Sequence, residues 1–353
     1  MASIATYPAR RARAIIKYKN EEVTRYIDPY LKNLSYTDNL SGQADDLQIT
    51  LEDRGHLWQQ SWMPERGTTL EAGIITENWP QLQNVSTETP LGMFEVDELE
   101  SSGPPSEITI KAVSIPYNTN LRGVVHTRSW EKANLKTIAN DIAVGAEMEL
   151  FWDTKENPVI DRAEQTEQSD LSFLLSICES NGLALKVMGT KIVIFDEMKY
   201  EAAEPILTVV MPSSGKLPEK GMVITGILNY RLNCKIRDVY SGCTVTYQQS
   251  KTKSKITGSF KLKGKKGRTL FINEQVDSIA AAERLAKKRL REKNKDEVTA
   301  SFTLIGCTLL AAGSVIALLG FGEFDGNYLI TRAVHTLNPF STSIEVRRCL
   351  DGY

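Results

Sequence analysis

Residues 298–322 read VTASFTLIGCTLLAAGSVIALLGFG, and no charged side chain occurs between Glu297 and Glu323. As one helix this run is long enough to span a bilayer; as strands it belongs to a buried sheet. Three features favour strands. Gly306, Gly313 and Gly320 cut the run into strand-sized pieces. Thr299, Ser301 and Thr303 alternate with Ala300, Phe302 and Leu304, which is a period of two. More β-like sequence follows at once. The reading is strand, turn, strand over 298–305, 314–319 and 327–335, with no membrane-spanning segment.

The flanks extend this reading. Residues 343–348 form a last strand. Residues 278–293 carry Ile279, Ala282, Ala286 and Leu290 on one stripe and Glu283, Lys287 and Arg291 on the other. That pattern predicts a helix lying on a barrel. Further upstream, Leu135, Ile138, Ala139 and Ile142 give a helix over 130–144. Leu171, Leu174, Leu175 and Cys178 give another over 170–181, followed by strands at 183–187 and 191–195. Near the N-terminus Leu47, Ile49 and Leu51 alternate with Asp46, Gln48, Thr50 and Glu52, a strand with one wet face. Short candidates at 12–18, 31–36, 69–76, 92–99 and 107–112 surround it and suggest a barrel or sandwich. The expected division is a β region at 1–115, an α+β module at 116–205, and a second β region at 206–353 that carries helix 278–293 and contributes to the first. The fold class is mainly β with an α+β insert.

Composition limits the chemistry. The chain has 353 residues, 41% of them hydrophobic and 24% charged, so bulk disorder is excluded and two or three domains have room for cores. Lys plus Arg number 42 against 44 Asp plus Glu, which excludes a chain basic throughout but not a basic patch. Five cysteines with no CxxC pair make a poor disulfide framework and suit synthesis in a reducing compartment. The start, MASIATYPARRARAIIKYKN, has no apolar stretch after its arginines and so lacks the signal-peptide pattern. Three isolated histidines offer no HExxH site. Both common phosphate-loop patterns are absent, and GFGEFDG at 320–326 reads as turns. There is no GxSxG element. Cys178 sits on an apolar helix face, so it reads as core. The adjacent acids Asp45-Asp46, Glu52-Asp53 and Asp97-Glu98 would point to opposite faces of a strand, which does not suit a glycosidase pair. No catalytic, cofactor or metal constellation is expected.

One charge feature stands out. Lys251, Lys253, Lys255, Lys261, Lys263, Lys265, Lys266 and Arg268 occur with no acid from Thr244 through Ile272. Three readings remain open: a solvated hairpin, a positive surface facing an acidic partner or a DNA-filled lumen, and nucleic-acid recognition. The last lacks interleaved aromatics for stacking, so nucleic-acid contact stays undecided.

Four stretches taken in order carry a family resemblance: ARRARAIIKY and IDPYLKNLSYTDNLSGQADDLQITLEDR within 9–54; GMFEVDELESSGPPSEITIKAVSIP at 92–116 with LRGVVHTRSWEKANLKTIANDIA after it; EQTEQSDLSFLLSICESNGLALKV at 164–187; and 304–338 followed by STSIEVRR. The chain resembles the phage late control D family, the baseplate hub proteins of contractile tails and phage-tail-like bacteriocins. The hub region of type VI secretion spike proteins is related. The resemblance implies a noncatalytic, myophage hub-like fold with two tube-type β-barrel domains. It implies a homotrimer that joins a hexameric tail tube to a central spike. It places the protein in the tail baseplate of a virion or bacteriocin particle, assembled in the bacterial cytoplasm. The chain ends soon after the last strand, so a separate spike protein is expected. Tape measure, wedge and LysM-type baseplate proteins are further partners. Two alternatives are a tail-associated peptidoglycan hydrolase and a DNA-contacting tail component.

Within this frame residues take expected roles. Asp45, Asp46 and Gln48 contact a neighbouring chain or the tube. Trp130 packs the start of the first helix, Ser169 or Asp170 can cap the second with Asp170 assigned that role, and Gly182 permits the turn after it. Gly320, Gly322 and Gly326 shape the turns before Tyr328.

Overall fold

A computed structural model of the chain describes residues 9–19, 21–65, 67–79, 86–114, 120–248, 255–276 and 278–353. The uncharged run folds as strands. In Val298–Ile305, Val298, Ala300, Phe302 and Leu304 enter one core while the intervening residues turn away. Val315–Leu319 follows, and Gly326–Leu337 runs back beside it. Among the described residues no helix is long and apolar enough to cross a membrane.

Gly326–Leu337 joins the two halves of the molecule. One of its edges pairs with Ser341–Arg348. The other edge is divided: the first residues pair with Val315–Leu319 and the last with Leu31–Asn39, close to the N-terminus. One sheet of 14 strands therefore runs through both β-rich regions.

The N-terminal arm runs Leu31–Asn39, Asp46–Glu52, Glu107–Val113, Thr87–Ser102, Thr69–Glu77, Arg11–Tyr18. It wraps a core that includes Ile16, Leu34, Leu47, Ile49, Ile74 and Phe94. The C-terminal arm has two branches. Ser341–Arg348, Val298–Ile305 and Ile227–Cys234 form one; Val315–Leu319, Leu207–Val210 and Val223–Ile224 form the other. Both branches bury side chains in a second core around Val209, Ile224, Phe302, Leu318 and Tyr328. The chain itself links the branch ends across Thr225 and Gly226. Among the described residues the hydrogen-bond ladder closes in neither arm. The architecture is mainly β, built from wrapped, mixed sheets.

Two smaller units attach to this sheet. In the first, Val125–Asn134 pairs with Val159–Ser169, and Ala184–Met188, Lys191–Phe195 and Glu149–Asp153 form a three-stranded sheet. Helices Leu135–Gly145 and Asp170–Ser180 close its core. The first helix starts five residues later than its apolar spacing predicts, because residues 130–134 are held as strand against Val159–Ser169. Trp130 thus lies in that strand. It stacks on Phe173 with ring centroids 5.4 Å apart, and its Nε1 donates to Asp141 on the helix at 3.0 Å.

The second unit is Tyr240–Gln248, Lys255–Lys261 and Arg268–Asn273 with helix Ile279–Asn294. It corrects the expectation that this helix lies on a barrel. Ala282, Ala286 and Leu290 pack on Cys243 and Val245 of their own three-stranded sheet.

Gly182, Gly320, Gly322 and Gly326 all have positive φ, at 70°, 91°, 69° and 140°. At Gly326 the space beside Cα is open, the nearest atom to an added Cβ being Arg348 Nε at 4.0 Å. The backbone alone therefore sets the cost of substitution. Gly326→Val should lower stability by about 1–3 kcal/mol, read as a lower urea midpoint than wild type. An unchanged midpoint would contradict that assignment.

Candidate functional site

A depression of about 600 Å³ near the C-terminus is lined by Lys263, Lys265, Lys295, Glu297 and Asp351. Among the described residues no group of three or more His, Cys, Asp or Glu is placed to hold a metal ion. Cys178 is buried in an apolar core, and burial pushes its thiol up to about 12, which suits packing and not attack. The surface that spans the molecule is instead the outer face of the large sheet.

Three registers trace it. Arg231, Ser301, Glu345 and Arg332 lie side by side on four adjacent strands. Asn229, Thr303, Ser343, Val334, Thr37 and Asp46 continue the next row into the N-terminal arm. Ser341, Thr336, Ser35, Gln48 and Lys111 form a third. The cause is alternation: these strands send most apolar residues to a core and most hydroxyls and amides outward, with Val334 in the outer row and Thr37 buried as exceptions. Ring-free, short side chains dominate. Thr303 and Ser343 hydroxyls bond at 3.1 Å, and Thr50 and Thr109 at 3.2 Å. The charges are matched locally, Arg332 with Glu345 at 3.2 Å and Lys111 with Glu100 at 2.9 Å. Two shallow depressions of about 380 and 370 Å³ lie along the C-terminal part. Such a face is wet, nearly neutral and poor in adhesive apolar area.

Two buried ionic junctions fix the smaller units to this sheet. At the first, Lys186 Nζ donates to Asp38 Oδ1 at 2.5 Å and lies 3.1 Å from Asp45 Oδ2. Asp38 also accepts from the Ala312 N–H at 2.8 Å, and Asp45 from the Asn39 N–H at 2.9 Å. Lys186 thus ties the α+β unit to the N-terminal arm, and Asp38 extends the link to the Ala312 backbone of the C-terminal half. At the second, Glu201 accepts from Arg291 at 2.6 Å, from Arg347, and from the Leu350 N–H at 3.1 Å. Arg347 also donates to Glu197 at 2.6 Å.

Burial is the main cause that pushes the Asp45 carboxyl up, to about 6, against the pull of Lys186. The folded chain then binds a proton more readily than the unfolded one between about pH 4 and 6. This group's contribution to stability is present at low pH and lost as pH rises through 6. Asp45→Asn should flatten that part of the stability profile by on the order of 2–3 kcal/mol. Urea midpoints of both proteins at pH 4.5 and 7 test this; parallel profiles would refute it.

No family model matches the chain. It is 30% identical over 177 residues to the probable baseplate hub protein of Escherichia phage P2, a match covering 49% of this chain and 42% of that protein. It is 26% identical over 266 residues to the probable baseplate hub protein of Escherichia phage 186, covering 72% and 62%. Over part of its length the chain is thus similar to two probable baseplate hub proteins of phage tails. These matches span less than two thirds of either relative's own length. The chain shares its fold with the 43 kDa tail protein of prophage MuSo2 from Shewanella oneidensis, at a TM-score of 0.69 over 96% of this chain and 98% of that one, with 12% identity.

The fold distributes the singled-out residues unevenly. Asp46 and Gln48 lie on the polar face, with Gln48 exposed. Asp45 does not: it is buried in the Lys186 junction, which corrects its assignment to an intermolecular contact. Asp170 is not the helix cap. Ser169 Oγ accepts from the Ser172 N–H at 3.3 Å, while Asp170 is buried and accepts from Arg128 at 2.6 Å and Gln165 at 2.7 Å. Lys255, Lys263, Lys266 and Arg268 are exposed on the second unit, whereas Lys265 pairs with Glu297. Lys251 and Lys253 lie outside the described residues. Sequence reasoning missed Lys186, Glu197, Glu201 and Arg347.

Proposed function

We propose that this chain is the structural hub of a contractile-tail baseplate. Three copies form a ring whose channel is walled by the polar sheet face. The ring joins a hexameric tail tube on one side to a trimeric spike, a separate protein, on the other. The observation that carries this reading is the continuity of the polar face across both arms. Each chain wraps two cores with one sheet, so three copies offer six similar arms to a sixfold tube. In this reading the arms act as tube-type barrels, closed by packing between neighbours that cover the open strand edges. A matched, hydroxyl-rich wall lets a polyanion or a polypeptide pass without strong binding.

The role is mechanical and noncatalytic. The buried ionic junctions hold the outer units to the ring while force passes from the sheath through the tube. Tape measure, wedge and LysM-type proteins are the remaining neighbours in the particle, and assembly takes place in the host cytoplasm. Similarity to two probable baseplate hub proteins supports the assignment. Native mass measurement of particles stripped to hub and spike tests it. Three copies of this chain per spike are expected; one copy, or six, would overturn the trimer.

A further inference from the structure

The second small unit shows a charge segregation that the ring architecture does not require. Residues 235–297 hold 17 of the chain's 42 Lys and Arg but only 7 of its 44 Asp and Glu. The remaining residues keep 25 cations against 37 acids, so a nearly neutral chain is divided into a strongly basic unit and a strongly acidic remainder.

The geometry gives this unit a free face. The helix Ile279–Asn294 covers one side of the three-stranded sheet. The other side presents Thr244 and Thr246 in the middle, Lys255 and Lys261 on one edge strand, and Phe271 on the other. Phe271 is 76% exposed, on a register row with Thr244 and Ser259. Lys255, Lys261, Lys263, Lys266 and Arg268 are exposed, and none has a carboxylate partner among the described residues. An aromatic anchor framed by hydroxyls and unpaired cations has the anatomy of an interface centre and rim. Lysines on an open edge also discourage pairing of like edges, so a contact here is heterologous.

We propose that this sheet face docks on the acidic remainder of a second copy of the chain, making the basic unit a head-to-tail contact of the ring. The inference rests on the hub reading. The acidic partner is present on every copy by composition, and the opposite charges fit a contact that is not self-complementary.

Sedimentation of the purified full chain at 50 and 500 mM salt tests the proposal, using wild type, a Lys255→Glu, Lys261→Glu, Lys263→Glu, Lys266→Glu variant, and Phe271→Asp. All five positions are exposed, so circular dichroism should match wild type. Wild type is expected to self-associate at low salt and to weaken at least tenfold at high salt. Both variants should weaken at least tenfold at low salt. Wild type that stays monomeric at 50 mM salt, or variants that associate like wild type, would overturn the proposal. So would variants that lose only DNA binding, or only binding to another tail protein. Imaging of particles separates the two levels: a threefold ring formed unchanged by the reversed variant leaves the hub standing and removes this contact, whereas wild-type particles without a ring remove the hub.

Discussion

Glu201→Gln should cost about 3–5 kcal/mol, because it breaks a buried ionic junction from the inside. The wild-type carboxylate is met by Arg291, Arg347 and the Leu350 N–H, all within the junction. Its side chain is 5% exposed, and that of Arg347 is 3%. An amide of the same size keeps the packing but removes the charge. Among the described residues, Arg291 is left without a carboxylate and Arg347 keeps only Glu197. These groups come from the α+β unit, the basic unit's helix and the last strand of the large sheet. The loss therefore falls on the connections between units as well as on any one core. Urea unfolding followed by tryptophan fluorescence measures the effect. Glu164→Gln is the control, since the Arg162–Glu164 pair is exposed and should be worth at most about 1 kcal/mol. Equal midpoints for the two variants would show that the junction is not a clamp.

Gly258→Val should unfold the basic unit while leaving the large sheet intact. An added Cβ at Gly258 would sit 2.6 Å from Ala282 Cβ and 2.6 Å from the Glu283 backbone nitrogen. The obstacle is helix backbone, which cannot rotate aside as a side chain can. The helix must lift from the sheet, and the unit's small core around Cys243, Val245, Ala282 and Ala286 opens with it. Overpacking alone costs about 1–3 kcal/mol, a large share of what so small a core can supply. Limited proteolysis should cut the variant within residues 240–294 and spare the arms. Gly123→Ala is the control, because nothing lies within 4 Å of the added carbon. A protease pattern identical to wild type would refute the close-approach argument.

The fold was legible where periodicity is strong and local. The strand at 298–305 matches its observed bounds, as does Lys191–Phe195. The last helix was read within one residue at each end, yet its support was misjudged. An apolar stripe says that something covers a helix, not which strands do. The antiparallel pair of Val125–Asn134 with Val159–Ser169 was missed because most of its positions are exposed, leaving no apolar alternation to detect. The single strand that fuses the two arms was invisible for another reason. Its edge pairs with residues 31–39, about 300 positions earlier in the chain, and no local pattern records such a partner.

The polar face was legible in part. Its hydroxyl alternation is explicit at Thr299, Ser301 and Thr303 and at Asp46, Gln48 and Thr50. The buried junctions were not. Arg347 follows the outward parity of Glu345, so its position alone suggests solvent, and only the tertiary approach of helix Glu197–Glu201 buries it. Asp45 and Asp170 were misassigned by the same logic: an acid beside a turn or helix start looks like a surface group until a lysine or arginine from a strand distant in sequence is seen to enclose it.

The central claim is that the polar face of the 14-stranded sheet walls a channel. A cryo-electron microscopy reconstruction of the intact particle tests it most directly. The account predicts a threefold ring of this chain with Thr303, Ser343, Ser35 and Gln48 facing an open axis between tube and spike. A ring in which those residues are buried against another protein, or turned to the outside, would contradict it.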